Sequence, residues 1–269
     1  MTLDEIERRG VVMLGCGKMG SALLSGWLSK GVRAADVWIL DPYPSDWVTT
    51  QGVNLNAGLP ASPAVVVVAV KPQLMADALP QVTGFGGGDT LIISVAAGTQ
   101  ISAFEAAFGG ATPIIRVMPN TPAAVGQGIS ALAASKAASP EHIALASSLM
   151  EAVGRVVLLE REDQMHAVTG LSGSGPAYVF HLIECLTEAG QAEGLPAELA
   201  ADLALATVAG AGALAAKGEA SPTTLRENVT SPNGTTQAGL EVLMAELPAL
   251  ARATVAAATR RSEELARHG

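Results

Sequence analysis

Over the first 160 positions, apolar residues come in short unbroken runs set between helical stretches, not in strict alternation. Residues 11–14, 37–40, 64–70, 90–94, 113–117 and 155–159 are predicted strands, and the run Val65-Val66-Val67-Val68 calls for burial on both faces. Strands of that kind belong to parallel sheets covered by helices on each side. The predicted fold is therefore α/β, a doubly wound parallel sheet over residues 1–162. Past Asp163 the rhythm changes: residues 177–190, 197–216, 237–247 and 249–267 carry long helical patterns with no strand between them. Residues 163–269 are predicted to form an all-helical domain. Its helices are rich in small residues, notably Ala209-Gly210-Ala211-Gly212-Ala213, and hold little apolar bulk. Either a partner subunit completes their core or the composition is simply biased towards alanine.

Charge narrows the function classes. The chain has 16 basic and 25 acidic residues, a net of −9, with no block of Lys or Arg. Nucleic acid is an unexpected partner for such a surface. The four Phe, three Trp and two Tyr are too few for a base-stacking platform. Cys16 and Cys185 lie far apart, and His142, His166, His181 and His268 show no metal-ligand spacing, so no metal is expected. The first nine residues lack the basic start and apolar run of a secretory signal, which predicts a cytoplasmic protein. The longest uncharged stretch of the C-terminal half, residues 203–216, is shorter than the roughly 20 residues of a membrane helix, and no membrane partner is expected.

Gly15-Cys16-Gly17-Lys18-Met19-Gly20 follows a predicted strand ending at Leu14 and opens a predicted helix, residues 21–29. In that setting the three glycines allow a tight turn, close backbone approach to a pyrophosphate, and close helix–strand packing. Leu14 to Gly20 are thus candidate dinucleotide-binding residues. Asp41 ends the next strand 21 residues after Gly20, where an acid accepts hydrogen bonds from ribose hydroxyls and disfavours a 2′-phosphate. Ligands of open α/β sheets bind beyond the carboxyl ends of the strands. The further cofactor candidates are accordingly Ala69, Val70, Lys71 and Pro72, then Ala96 and Ala97, then Met118, Pro119 and Asn120.

In the helical region a polar loop, residues 225–236, leads into the helix predicted from Gln237. N–H groups of Gly234, Thr235 and Thr236, with the Ser231 hydroxyl, could hold a carboxylate there. Ordinary N-capping by Thr235 or Thr236 is the competing account. The Gly-x-Ser-x-Gly of a hydrolase elbow is absent in register at Gly170-Leu171-Ser172-Gly173-Ser174, and its shifted frame does not follow a strand.

Taken together, Gly15–Gly20, Val70-Lys71-Pro72-Gln73, Arg116-Val117-Met118-Pro119-Asn120-Thr121-Pro122, Leu171-Ser172-Gly173-Ser174-Gly175-Pro176-Ala177-Tyr178 and residues 225–240 resemble, in order, the motifs of the pyrroline-5-carboxylate reductase family. The resemblance spans nearly the whole chain and is most specific at residues 229–240. It implies reduction of L-1-pyrroline-5-carboxylate to L-proline by a reduced nicotinamide cofactor, the last step of proline biosynthesis. It also implies that Ser231, Gly234 and the Thr235 N–H hold the substrate carboxylate. Thr236 matches the threonine that hydrogen-bonds the ring nitrogen, and Glu219 matches a glutamate close to the substrate. A Rossmann domain followed by an interlocking helical dimerisation domain is the implied architecture, with a homodimer as the minimum and a decamer as a known larger assembly. Many family members favour NADPH and place small polar or basic residues where this chain has Asp41-Pro42-Tyr43; the expectation leans slightly to the family's NADPH, with NADH serving as well. Ser45 could still approach a phosphate. A β-hydroxyacid dehydrogenase would need a catalytic lysine in the helical region, where only Lys217 is available. A dinucleotide sensor without catalysis is the non-enzymatic rival.

Overall fold

The computed structural model describes residues 3–268 and the side chains of residues 4–267, so the histidine at 268 lies outside the described side chains. Eight strands form one sheet: β1 (Val11–Leu14), β2 (Val37–Leu40), β3 (Asn54–Leu55), β4 (Val65–Val68), β5 (Leu91–Ser94), β6 (Ile114–Met118), β7 (Gly128–Ala134) and β8 (Gly154–Leu158). Their order is β3-β2-β1-β4-β5-β6-β7-β8. Neighbours run parallel except β6 and β7, which are antiparallel. The order steps outward from β1 in both directions, so the carboxyl ends of β1 and β4 open a crevice between them.

The helices of this part are α1 (Leu3–Arg9), α2 (Lys18–Ser29), α3 (Asp46–Thr49), α4 (Met75–Ala78), α5 (Ile101–Phe108), α6 (Pro140–Glu151) and α7 (Met165–Val168). The period-2 geometry of a strand explains why apolar runs were needed. Val11, Met13, Val65 and Val67 join Leu23, Leu24 and Trp27 of α2 and Leu145 and Leu149 of α6 in one core. Val12, Leu14, Val66 and Val68 point the other way, onto Phe104 and Phe108 of α5 and Met75 of α4. Trp27 is fully buried and its indole Nε1–H donates to the Leu149 carbonyl at 2.9 Å, tying α2 to α6.

All six expected strands form. The one predicted over residues 64–70 stops at Val68, which releases Ala69 to Lys71 into the loop at its end. β3 and β7 were not foreseen.

Beyond these lie α8 (Gly175–Ala192), α9 (Ala197–Ala216), α10 (Pro222–Asn228) and α11 (Thr235–His268). α11 is one helix that carries Pro248 inside it, where two helices broken at the proline were expected. α10 replaces part of the expected polar loop. Ser221 caps it, its hydroxyl accepting from the Thr224 N–H at 3.1 Å, and Pro222 follows at a position that needs no N–H. α9 has 20 residues, the uncharged stretch 203–216 preceded by a first turn and a half that carries Glu198 and Asp202. By length and composition alone α9 and Thr235–Arg267 could each cross a membrane, so the shortness of residues 203–216 excludes nothing.

The chain packs as two compact units, Met1–Gly173 with Ala258–Gly269, and Ser174–Ala257. The first continues past the division predicted at residue 162. It takes in the end of α11, where the buried Ser262 hydroxyl shares a 3.0 Å hydrogen bond with His166 Nδ1. In the second, α8 packs closely on α9 where Gly190 faces Ala200: a Cβ at Gly190 would stand 3.3 Å from the Ala200 Cβ. Among its described residues only Ala200 and Ala204 are buried hydrophobics, while Phe180, Leu205, Val242 and Leu250 are each more than half exposed. So much apolar surface is characteristic of an element that buries itself against another chain.

Candidate active site

At the carboxyl ends of β1, β2 and β4 a cavity of about 580 Å³ is lined by Leu14, Gly15, Gly17, Asp41, Ala69, Val70 and Lys71 among the expected residues. That volume suits a large organic ligand. Gly15 turns the chain at φ +84°, and a Cβ there would lie 2.7 Å from Val70 Cγ1. Its N–H donates to the Leu40 carbonyl at 2.8 Å. Gly17 differs: a Cβ built on it meets no atom within 4 Å, so the missing side chain leaves its backbone open to a ligand. Gly20 is the packing glycine, with a hypothetical Cβ 2.9 Å from the Gly15 carbonyl oxygen. Gly15→Ala is expected to cost about 1–2 kcal/mol through the left-handed backbone and the Val70 contact. An unchanged denaturation midpoint would overturn it.

Cys16 is buried in this turn, and its N–H donates to Asp41 Oδ2 at 2.7 Å. Burial pushes the thiol pKa up and the Asp41 charge adds to it, while a hydrogen bond to Ser21 opposes both. The thiol therefore stays protonated at neutral pH and has little nucleophilic character.

The remaining cofactor candidates do not line the cavity. Lys18 and Met19 are the first residues of α2. Pro72 is exposed and starts a short 3₁₀ turn. Ala96 is buried, its N–H on the Ser94 hydroxyl at 3.3 Å, and Ala97 is exposed. Pro119 is buried, and Met118 packs against Gly173. Asn120 is committed to the backbone: its Oδ1 accepts from the Ile129 N–H at 2.9 Å and its amide reaches the Ser172 carbonyl at 3.4 Å. Sequence reasoning missed the rest of the lining, among it Leu40, Pro42, Tyr43, Asn56, Leu74 and Asp77. The apolar ones end or follow a strand or its 3₁₀ turn and carry no motif of their own.

In the second unit Ser231, Gly234, Thr235 and Thr236 share one turn at the start of α11. Thr235 and Thr236 are the first two residues inside the helix, so neither is its cap. The Gly234 N–H, expected to be free, donates to the Ser231 carbonyl at 3.0 Å, and the Asn233 N–H donates to Gln237 Oε1 at 2.8 Å. Ala238 makes the first helical bond, to the Gly234 carbonyl at 3.2 Å. The N–H groups of the helix's first turn remain for an anion. Glu219 is exposed in the bend between α9 and α10, and Lys217 is the residue that ends α9.

Residues 162–265 match the family described as pyrroline-5-carboxylate reductase dimerisation, and residues 10–98 match one described as NADP oxidoreductase, coenzyme F420-dependent. The chain is 39% identical over 263 residues to a pyrroline-5-carboxylate reductase of Pseudomonas aeruginosa, covering 95% of this chain and 96% of the relative. Among solved structures it superposes with a TM-score of 0.90 on a pyrroline-5-carboxylate reductase from Coxiella burnetii, at 33% identity over 96% of this chain and 98% of the other. The Plasmodium falciparum enzyme, solved with NADP bound, gives a TM-score of 0.81 at 28% identity, covering 97% of this chain and 99% of that one. The helical region that matches a dimerisation family is the one left with exposed apolar faces, so these faces serve oligomerisation. The chain belongs to the pyrroline-5-carboxylate reductase family, NAD(P)H-dependent oxidoreductases that reduce the cyclic imine L-1-pyrroline-5-carboxylate to L-proline in proline biosynthesis.

Proposed function

We propose that the Gly15–Gly20 turn and the cavity beside it hold the dinucleotide, and that the turn from Ser231 to Thr236 holds the imino acid. When bound, the reduced nicotinamide supplies a hydride to the imine carbon. The imine nitrogen enters protonated and keeps its proton as the basic amine of the product, so the protein need not supply a strong acid. The Thr236 hydroxyl oxygen accepts a hydrogen bond from the protonated ring nitrogen and orients the ring. The Ser231 hydroxyl and the Thr235 N–H hold the carboxylate, with the positive end of the α11 dipole behind them. Gly234 contributes its shape, since a Cβ there would stand 3.0 Å from the Ser231 carbonyl oxygen. Glu219 acts close to the substrate. Most of the rate gain comes from positioning two rings.

The observation that best supports this reading is the preset Gly-rich turn beside an open cavity, with Gly17 leaving space where a side chain would intrude. Residues 1–162 serve as the nucleotide-binding region and 163–269 as the substrate and dimer region of a cytoplasmic enzyme. It is at least a homodimer, and it acts on a small molecule with neither nucleic acid nor membrane as partner. The direct test follows absorbance of the reduced cofactor with pyrroline-5-carboxylate, in parallel with NADPH and NADH. Substrate-dependent oxidation is expected. Folded protein that oxidises neither would overturn the reading in favour of a sensor.

A further inference from the structure

We infer that Asp41 is a specificity-determining residue that makes this enzyme prefer NADH to NADPH. The inference rests on the placement of the dinucleotide in the β1–β2–β4 cavity. Its warrant is how firmly the carboxylate is fixed. Oδ2 accepts from the Cys16 N–H at 2.7 Å and Oδ1 from the Tyr43 N–H at 2.8 Å. The Asp41 backbone is clamped on both sides by one side chain: its N–H donates to Asn56 Oδ1 at 2.9 Å, and Asn56 Nδ2 donates to its carbonyl at 2.8 Å. Asn56 itself sits at φ +49°, a conformation asparagine tolerates better than most residues.

A side chain held by its own strand end, by the Gly-rich turn and by Asn56 cannot swing aside for a phosphate. Each carboxylate oxygen still has a lone pair for a ribose hydroxyl, because each accepts one bond and can accept two. A 2′-phosphate offers no proton to match it and brings up to two negative charges.

The surroundings do not compensate. The charged residues that line the cavity are Asp41, Asp77 and Lys71, two acids against one base. Past Asp41 the chain reads Pro42-Tyr43-Pro44-Ser45-Asp46, with no cation. Ser45, the remaining polar candidate for a phosphate, accepts from the Val48 N–H at 3.4 Å as the cap of α3. The Tyr43 ring is 90% exposed and Leu74 is 53% exposed at the same cavity, giving apolar walls for an adenine. Both dinucleotides share that base, so discrimination falls on the ribose. A dianion close to a fixed carboxylate is repelled enough to weaken binding about tenfold or more even with water-like screening.

Calorimetric titration of the wild-type enzyme with ADP-ribose and with 2′-phospho-ADP-ribose tests this without turnover. Steady-state kcat/KM for NADH and NADPH runs beside it. ADP-ribose is expected to bind about tenfold or more tightly, and NADH to be the better substrate by a similar factor. In D41N, which keeps an oxygen for the Cys16 N–H but removes the charge, the ratio should close to within about threefold. Equal or tighter binding of the phosphorylated fragment by the wild type, or an unchanged ratio in D41N, would overturn the inference. Should D41N fail to fold, the wild-type fragment ratio decides alone. Failure of both cofactors to turn over would strike the reductase assignment, and the fragment ratio would still report on Asp41.

Discussion

Glu162→Ala is expected to destabilise the protein by about 3 kcal/mol, lowering the melting temperature by roughly 6–12 °C. Arg116 lies on β6 in the interior of the sheet, its side chain only 3% exposed, and its Nη1 donates to Glu162 Oε1 at 2.8 Å. Without that carboxylate the guanidinium stays buried with no counter-charge, and an uncompensated buried charge costs several kcal/mol. The same oxygen accepts from the Ile101 N–H at 2.9 Å, so the first turn of α5 loses its partner as well. Removing the other side is milder. In Arg116→Met the buried charge itself disappears, while Glu162 remains 29% exposed to water and keeps its bond to Ile101. That variant, and the double variant R116M/E162A, should each cost about 1–2 kcal/mol, less than E162A alone. Urea denaturation at fixed protein concentration measures all three. A single Glu162 variant no worse than the double would show that the ion pair does not anchor this end of the sheet.

Arg116 shows that a stretch carrying family resemblance also holds residues that serve the fold. It stands in the stretch Arg116 to Pro122 that carries family resemblance, and the stretch drew attention as a cofactor loop. Its strongest side chains turn inward: Arg116 to Glu162, Asn120 to Ile129 and Ser172. Short polar motifs at strand ends serve packing and ligand alike, and only geometry separates the two.

The parallel core was legible because strands buried on both faces must be apolar at every position, and the tetravaline of β4 leaves no other choice. β7 was not, since Gly128-Ile129-Ser130-Ala131-Leu132-Ala133-Ala134 has one β-branched residue with strong strand preference and otherwise small ones. It is a strand because β6 and β8 pair with it on both sides, a tertiary fact. β3 is two residues long and below any pattern. α11 runs straight through Pro248, where local preference argued for a break. α10 has a signal in the sequence, Ser221-Pro222, a cap followed by proline at the first helical position, although the polar residues after it read as loop. Of the residues around the β1–β2–β4 cavity, the glycines and Asp41 stood out in the sequence because a tight turn and an acid at a strand end call for those residue types. Asn56 did not, for its role is to brace Asp41 from 15 residues away.

Thr236→Ala is expected to lower turnover about a hundredfold while leaving cofactor affinity unchanged, because in the proposed site the hydroxyl acts only on the bound imino acid. The residue is suited to a clean test. It is exposed, it sits second in α11, and it is not the helix cap, so alanine there should cost little stability. The backbone N–H of Thr236 survives the substitution, and so does the anion site at the helix start. Loss should therefore fall on kcat more than on KM, as for an interaction that tightens when the ring is aligned for hydride delivery. Thr236→Ser keeps the hydroxyl on the same backbone and should recover most of the rate. Cofactor affinity is read separately by quenching of the three tryptophans or by calorimetry. A Thr236→Ala enzyme with wild-type kcat would remove the hydroxyl from the mechanism. If both variants lost cofactor affinity together, the residue would be serving the fold of the turn instead of the reaction.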